Sequence, residues 1–164
     1  MPVEESDFEA ILKSLIRHKV DFIVVGGVCA MLHGSSLPTF DIDIVQSRDP
    51  DNLKRLENAL SELGAYYREH TNKRLIPKAE RMTTGGHHLL NTAFGPVDVL
   101  GAIANQRDYP ALLPHTTEIE LEEDVRFRTL DLATLILTKQ ETGREKDRRM
   151  LPILLRIQEE IERR

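Results

Sequence analysis

The chain has 164 residues, 40% of them hydrophobic and 30% charged, with a formal net charge of −5 from 22 basic and 27 acidic side chains. That length suits one domain, and the acidic balance argues against a broad nucleic-acid surface while leaving room for a local basic patch. No stretch approaches the ~20 apolar residues of a membrane span, and the acidic start MPVEESDFEA has no apolar signal region, so a cytoplasmic protein is expected.

In chain order, Ser6-Asp7-Phe8-Glu9 has the form of a capping box. Phe8, Ile11, Leu12, Leu15 and Ile16 follow at helical spacing and predict a helix from Asp7 to Arg17. Phe22 to Val25 reads as a buried strand ended by Gly26-Gly27, Val28 to Leu32 as a short helix stopped near Gly34, and Phe40 to Val45 as a second strand. Asp49-Pro50 starts a helix with Leu53, Leu56, Leu60 and Leu63 as its apolar stripe and Gly64 at its end. Tyr66 to His88 is polar and reads as a loop carrying Lys73, Arg74, Lys78 and Arg81, with a short strand near Leu75.

Strands are predicted at His88–Ala93 and Pro96–Leu100, joined at Phe94-Gly95, and a hairpin at Thr116–Leu121 and Val125–Thr129. Asp131 to Gln140 is a helix, and Ile153 to Glu162 is the last, with Pro152 marking its start. Interleaved helices and strands give a mixed α/β fold. The expected organisation is one domain over residues 1–164, with a core at about 7–130 and a C-terminal helical segment at about 131–164. Cys29, the single cysteine, sits between Val28 and Ala30 and reads as a buried hydrophobe in a reducing compartment.

The chemistry concentrates in two places. Side chains alternate across a strand, so Asp41 and Asp43 project from one face, roughly 7 Å apart, while Ile42 and Ile44 enter the core from the other. Two like charges so placed call for a cation unless they are fully solvated, and Mg²⁺ prefers such oxygens together with water and phosphate. Asp98, inside the apolar Pro96-Val97-Asp98-Val99-Leu100, supplies a third carboxylate if its strand lies beside the first. Three carboxylates around two metals suit phosphoryl or nucleotidyl transfer. The plainer readings are an edge strand's solvent face for Asp41 and Asp43, a turn cap or arginine partner for Asp98, and an ordinary turn for Gly26-Gly27.

Val25-Gly26-Gly27, Asp41-Ile42-Asp43 and Asp98 together resemble the nucleotidyltransferase superfamily that includes DNA polymerase β. With His33-Gly34, Thr39 and the stretch Lys139 to Asp147, the chain is similar to the minimal bacterial members related to AbiEii/AbiGii toxins. The resemblance spans about Phe22 to Asp147. It implies a minimal nucleotidyltransferase fold, a small mixed sheet flanked by helices, with two Mg²⁺ ions, or Mn²⁺ in their place. Asp41 and Asp43 would hold the metals. Asp98 would share one and activate or orient the attacking hydroxyl. Gly26, Gly27 and Thr39 would face the nucleotide, and Lys139, Arg144 and Lys146 would meet its phosphates. Asp147 would orient one of these cations.

The implied partners are an NTP, an acceptor hydroxyl on RNA, protein or a small molecule, and an antitoxin. Leu37 stands where relatives commonly carry arginine, which leaves open a weakly active or inactive nucleotide-binding or protein-interaction module. Gly27 stands where many superfamily members use serine, so a phosphate contact there would come from backbone N–H. His33 fits the family's His-Gly pair and equally a packed helix end. The adjacent His87 and His88 should point to opposite faces, against a paired metal site.

Overall fold

The protein, described here from a computed structural model, is followed over residues 5–69 and 74–164. Lys73, one of the four loop cations, lies outside the described residues.

The elements are α1 (Phe8–Arg17), β1 (Phe22–Val25), α2 (Gly26–Leu32), β2 (Ile42–Gln46), α3 (Pro50–Glu62), β3 (Tyr66–Tyr67), β4 (His87–Asn91), β5 (Val97–Leu100), α4 (Tyr109–Leu112), β6 (Thr116–Glu122), β7 (Val125–Leu130), α5 (Leu132–Thr142) and α6 (Glu145–Glu162). The strands form one seven-stranded mixed sheet in the order β3-β4-β5-β2-β1-β7-β6. At its centre β1 runs antiparallel to β2 and parallel to β7, while β2 runs parallel to β5.

The alternation in β2 and β5 does what it should: Ile42, Ile44, Val97 and Val99 are fully buried, and Asp43 and Asp98 face the other way, only partly covered. The α3 stripe of Leu53, Leu56, Leu60 and Leu63 joins Ile11 and Leu15 of α1 in the same core. Cys29 is wholly buried, and burial pushes its thiol up to about 11, so it behaves as a small core side chain.

Several boundaries differ from the sequence expectation. The first helix is capped by Asp7, whose carboxylate accepts from the Ala10 N–H at 3.0 Å, and the Ser6 hydroxyl instead donates to the Phe40 carbonyl. The second helix begins at Gly26 rather than Val28. No strand forms at Leu75, whose carbonyl accepts from the Tyr67 N–H at 2.8 Å beside the two-residue β3. A one-turn 3₁₀ helix at Ala79–Met82 and the short α4 had no visible periodicity.

The largest correction is α6, which starts at Glu145, not Ile153, and runs through Pro152. Asp147 accepts from the Arg144 N–H at 3.2 Å and starts the helix eight residues before Ile153, and Met150 and Leu154 bury its inner face. Pro152 is exposed, so the helix hydrogen bond it cannot make falls on the side that water reaches. Gly143 separates α5 from α6 in the left-handed conformation (φ 57°), so α5 runs to Thr142, beyond Gln140.

Candidate active site

The parallel pairing of β2 with β5 sets Asp43 directly opposite Asp98, and Asp41 lies one residue before β2. One carboxylate oxygen from each of Asp41, Asp43 and Asp98 falls within 4.8 Å of the other two, the one such group of acidic, histidine or cysteine side chains among the described residues. Asp43 and Asp98 border a cleft of about 740 Å³ that is also walled by His87, Asn105, Arg144 and Lys146.

Asp43 sits in an unfavourable electrostatic setting. Burial, then the charge of Asp98, a hydrogen bond with Asp98 and the charge of Asp41, push its carboxyl up to about 7, with Lys146 opposing weakly. Its Oδ1 is out of contact with solvent and has no hydrogen-bond partner among the described residues. A buried acceptor with nothing to accept from, among two further carboxylates, is what a hard divalent cation would satisfy, so these residues fit such an ion.

The glycines are explained by space. A Cβ on Gly26, which has φ +70°, would lie 2.3 Å from Asp43 Oδ2, and one on Gly27 would lie 2.7 Å from Thr39 Oγ1. Both positions are thus kept bare to let β2 and its approach come close to the start of α2. The α2 helix has only seven residues, so the contribution of the glycines here is room rather than a strong helix-end field. Thr39 donates from Oγ1 to the Asp41 carbonyl at 3.2 Å, which fixes the backbone that presents the first carboxylate.

The C-terminal basic motif divides. Arg144 and Lys146 line the carboxylate cleft and are exposed. Lys139 borders a smaller hollow beside Gly26 and Asp43, but its ammonium is buried and donates to Asp147 Oδ1 at 3.0 Å. Asp147 also accepts from the Thr142 hydroxyl at 2.6 Å and the Arg144 Nε at 3.1 Å. The pairing expected of Asp147 is present, and it takes Lys139 rather than leaving its charge free for a phosphate.

Leu37 is partly buried against the core and carries no charge to the cleft. His33 Nε2 donates to the Leu130 carbonyl at 2.7 Å, a packing role at the end of α2. His87 is exposed at the cleft, whereas His88 Nδ1 sits 2.7 Å from the Tyr67 hydroxyl, so the two histidines do not form a site together.

Sequence reasoning missed Arg68, which is ion-paired to Asp98. Arg68 follows the two-residue β3, which is too short to read as alternation in the sequence. It also missed the loop after β5. There Asn105 and Gln106 both take left-handed backbone (φ 57° and 60°), and Arg107 and Asn105 are tied to Glu141 of α5. A further hollow of about 320 Å³ lies at the far end of β1, lined by Phe22, Tyr109 and Phe127, and no group of three possible metal ligands stands there among the described residues.

No protein-family model matches the chain, and no curated protein matches it. Solved structures do. The lincosamide antibiotic adenylyltransferase LnuA, in its lincomycin-bound form, superposes with a TM-score of 0.62 at 17% identity, over 94% of this chain and 99% of that one. TM1012 from Thermotoga maritima, which carries a nucleotidyltransferase assignment, gives 0.57 at 19% identity over 91% and 90%. The antibiotic-resistance factor ANT(2'')-Ia gives 0.57 at 14% identity over 90% and 80%. At these identities the likeness is one of fold, and the fold is that of the nucleotidyltransferases.

Proposed function

We propose that the protein is a metal-dependent nucleotidyltransferase that transfers a nucleoside monophosphate from an NTP to an acceptor hydroxyl. The observation that carries this reading is the convergence of Asp41, Asp43 and Asp98, with ligand oxygens within 4.8 Å of one another, on a nucleotidyltransferase fold. Asp41, Asp43 and Asp98 would hold Mg²⁺, or Mn²⁺, which when bound supplies charge neutralisation for the triphosphate and the leaving pyrophosphate.

The chain's own residues supply the rest. Gly26 and Gly27 let Asp43 and Thr39 come close to the start of α2, which sets the carboxylates beside the glycines that would face the triphosphate. Lys146 and Arg144 meet phosphate oxygens from the cleft's C-terminal wall. Lys139 acts by keeping Asp147, and through it Arg144, in place. Asp98 orients the acceptor hydroxyl and takes its proton as the new O–P bond forms and the bond to pyrophosphate breaks. The acceptor is RNA, a protein or a small molecule, and kinship to AbiEii-type toxins, with an antitoxin partner, belongs to the same proposal.

One observation favours a second reading, a nucleotide-binding module with little turnover: Leu37 packs against the core and gives the cleft no cation. Incubation with Mg²⁺ and each labelled NTP, in the presence of cell extract, separates the two. Mass shifts on an extract component together with pyrophosphate release support transfer. Saturable NTP binding with no labelled product from any extract fraction supports the module and ends the transferase reading.

A further inference from the structure

We infer that Arg68 is a built-in counter-cation for the carboxylate trio: it balances Asp98 while no divalent cation is bound, and a divalent cation must compete with it. This rests on the trio being a cation site.

Arg68 follows β3 directly, and both its ends are tied to β4. Its backbone N–H donates to the Leu89 carbonyl at 3.0 Å, and its Nη2 donates to the Leu90 carbonyl at 3.1 Å. Leu89 is the register partner of Asp98, so an arginine fastened there is held over the neighbouring strand's carboxylate. The same Nη2 donates to Asp98 Oδ1.

Among the described residues this is the one ion pair made by any of the three carboxylates. The side chains of Arg68 and Asp98 are 29% and 14% exposed, so the pair is poorly screened by salt water. Lys146 acts on Asp43 without an ion-pair contact, and Lys139 is committed to Asp147.

The guanidinium is also incompletely used where it stands, because its Nε is buried and has no partner among the described residues. It can let go of Asp98 and keep the Leu90 carbonyl. A cation arriving between the acids repels a positive charge already on Asp98 and needs the same oxygens. Arg68 therefore keeps the empty site together at the cost of divalent affinity.

The test uses the full chain freed of metal by chelation, with Arg68→Gln, Arg68→Lys and the double variant Arg68→Gln/Asp98→Asn. Free Mn²⁺ is followed by electron paramagnetic resonance, and melting is recorded with and without Mg²⁺. Arg68→Gln should bind Mn²⁺ more tightly than wild type, on the order of tenfold, and melt lower without metal, with Mg²⁺ closing the gap. Arg68→Lys, which keeps the charge, should stay near wild type in Mn²⁺ affinity. The double variant should recover the metal-free melting temperature, which a purely structural role for Arg68 would not allow, and it keeps the test open if Arg68→Gln alone folds poorly.

Unchanged or weaker Mn²⁺ binding by Arg68→Gln, with wild type binding normally, overturns the inference alone, and so does a double variant that melts no higher than Arg68→Gln. If wild type and Arg68→Gln alike bind no Mn²⁺, the cation reading of the trio fails, and the inference with it.

Discussion

Asp147, at the junction of α5 and α6, has no exposed surface and accepts hydrogen bonds from Lys139, Thr142 and Arg144, while Asp43 on β2 has a buried oxygen with no partner among the described residues and two acids for neighbours. The two residues are chemically identical and respond oppositely. At Asp147 burial pushes the carboxyl up, but the Thr142 hydroxyl and the Lys139 ammonium outweigh it and bring it down to about 2. At Asp43 burial and the charge of Asp98 act together and raise it to about 7. One carboxylate is completed from within the chain and holds two helices together. The other keeps an electrostatic demand that the chain only partly meets, which is what the proposed cation site requires and a structural joint does not.

Variants can break or sharpen this contrast. The largest expected effect is at the joint. Asp147→Ala strands the Lys139 ammonium in a buried place and should lower stability by ~3–5 kcal/mol in urea unfolding. Asp43→Asn should do the reverse in metal-free protein, raising stability by removing a like charge. A loss of stability there comparable to that of Asp147→Ala would dissolve the distinction between the two regions.

Next in size is turnover. Asp41→Asn or Asp43→Asn should lower Mg²⁺-dependent transfer from a labelled NTP by a factor of ~10² or more. Wild-type rates in either variant contradict the cation role. Gly26→Ala should follow, since its Cβ would meet Asp43 Oδ2 at 2.3 Å on a backbone with φ +70°. The left-handed conformation alone costs about 1–2 kcal/mol for an alanine. Thermal unfolding and NTP turnover should both fall, and a variant with normal melting and normal turnover shows that the β2–α2 approach has slack.

Lys146→Ala is smaller. An exposed cation on a phosphate is worth about 1 kcal/mol, roughly fivefold in Mg-NTP affinity. Calorimetric titration should show this with little change in melting, whereas Lys139→Ala should lose stability first.

The pH response has a definite sign. The unfolded Asp147 carboxyl titrates near 3.8 and the folded one near about 2. The native state therefore releases that proton more readily, and the stabilisation is present above 3.8 and lost as pH falls toward about 2. The stability advantage of wild type over Asp147→Asn should shrink across that window. An advantage that stays constant or grows as pH falls means that Asp147 is not held ionised by its partners.

Much of the carboxylate site was legible in the sequence because it rests on local rules. Alternation along β2 and β5 sends Ile42, Ile44, Val97 and Val99 inward and their acidic neighbours outward, whereas the close approach of Asp43 and Thr39 to Gly26 and Gly27 shows only in the fold. The C-terminal side was harder. Pro152 looked like a helix start because nothing in a linear pattern shows that its missing hydrogen bond would fall on the exposed side of a helix already begun at Glu145.

Lys139 read as a free cation because its distance in sequence from Asp147 says nothing of their burial. Arg68 was invisible for the same reason: its partner is 30 residues away and reached only through the β3-β4-β5 pairing. Pairings along one strand are written in its residues, and pairings across a sheet are not.

The most direct test of the carboxylate account is an Mn²⁺ titration, by electron paramagnetic resonance, of wild type and of Asp41→Asn, Asp43→Asn, Asp98→Asn and Lys146→Ala. The expected result is saturable Mn²⁺ binding in wild type that is sharply weakened in each aspartate variant and nearly intact in Lys146→Ala. Equal Mn²⁺ binding by wild type and the three folded aspartate variants would contradict the assignment of Asp41, Asp43 and Asp98 as the cation site.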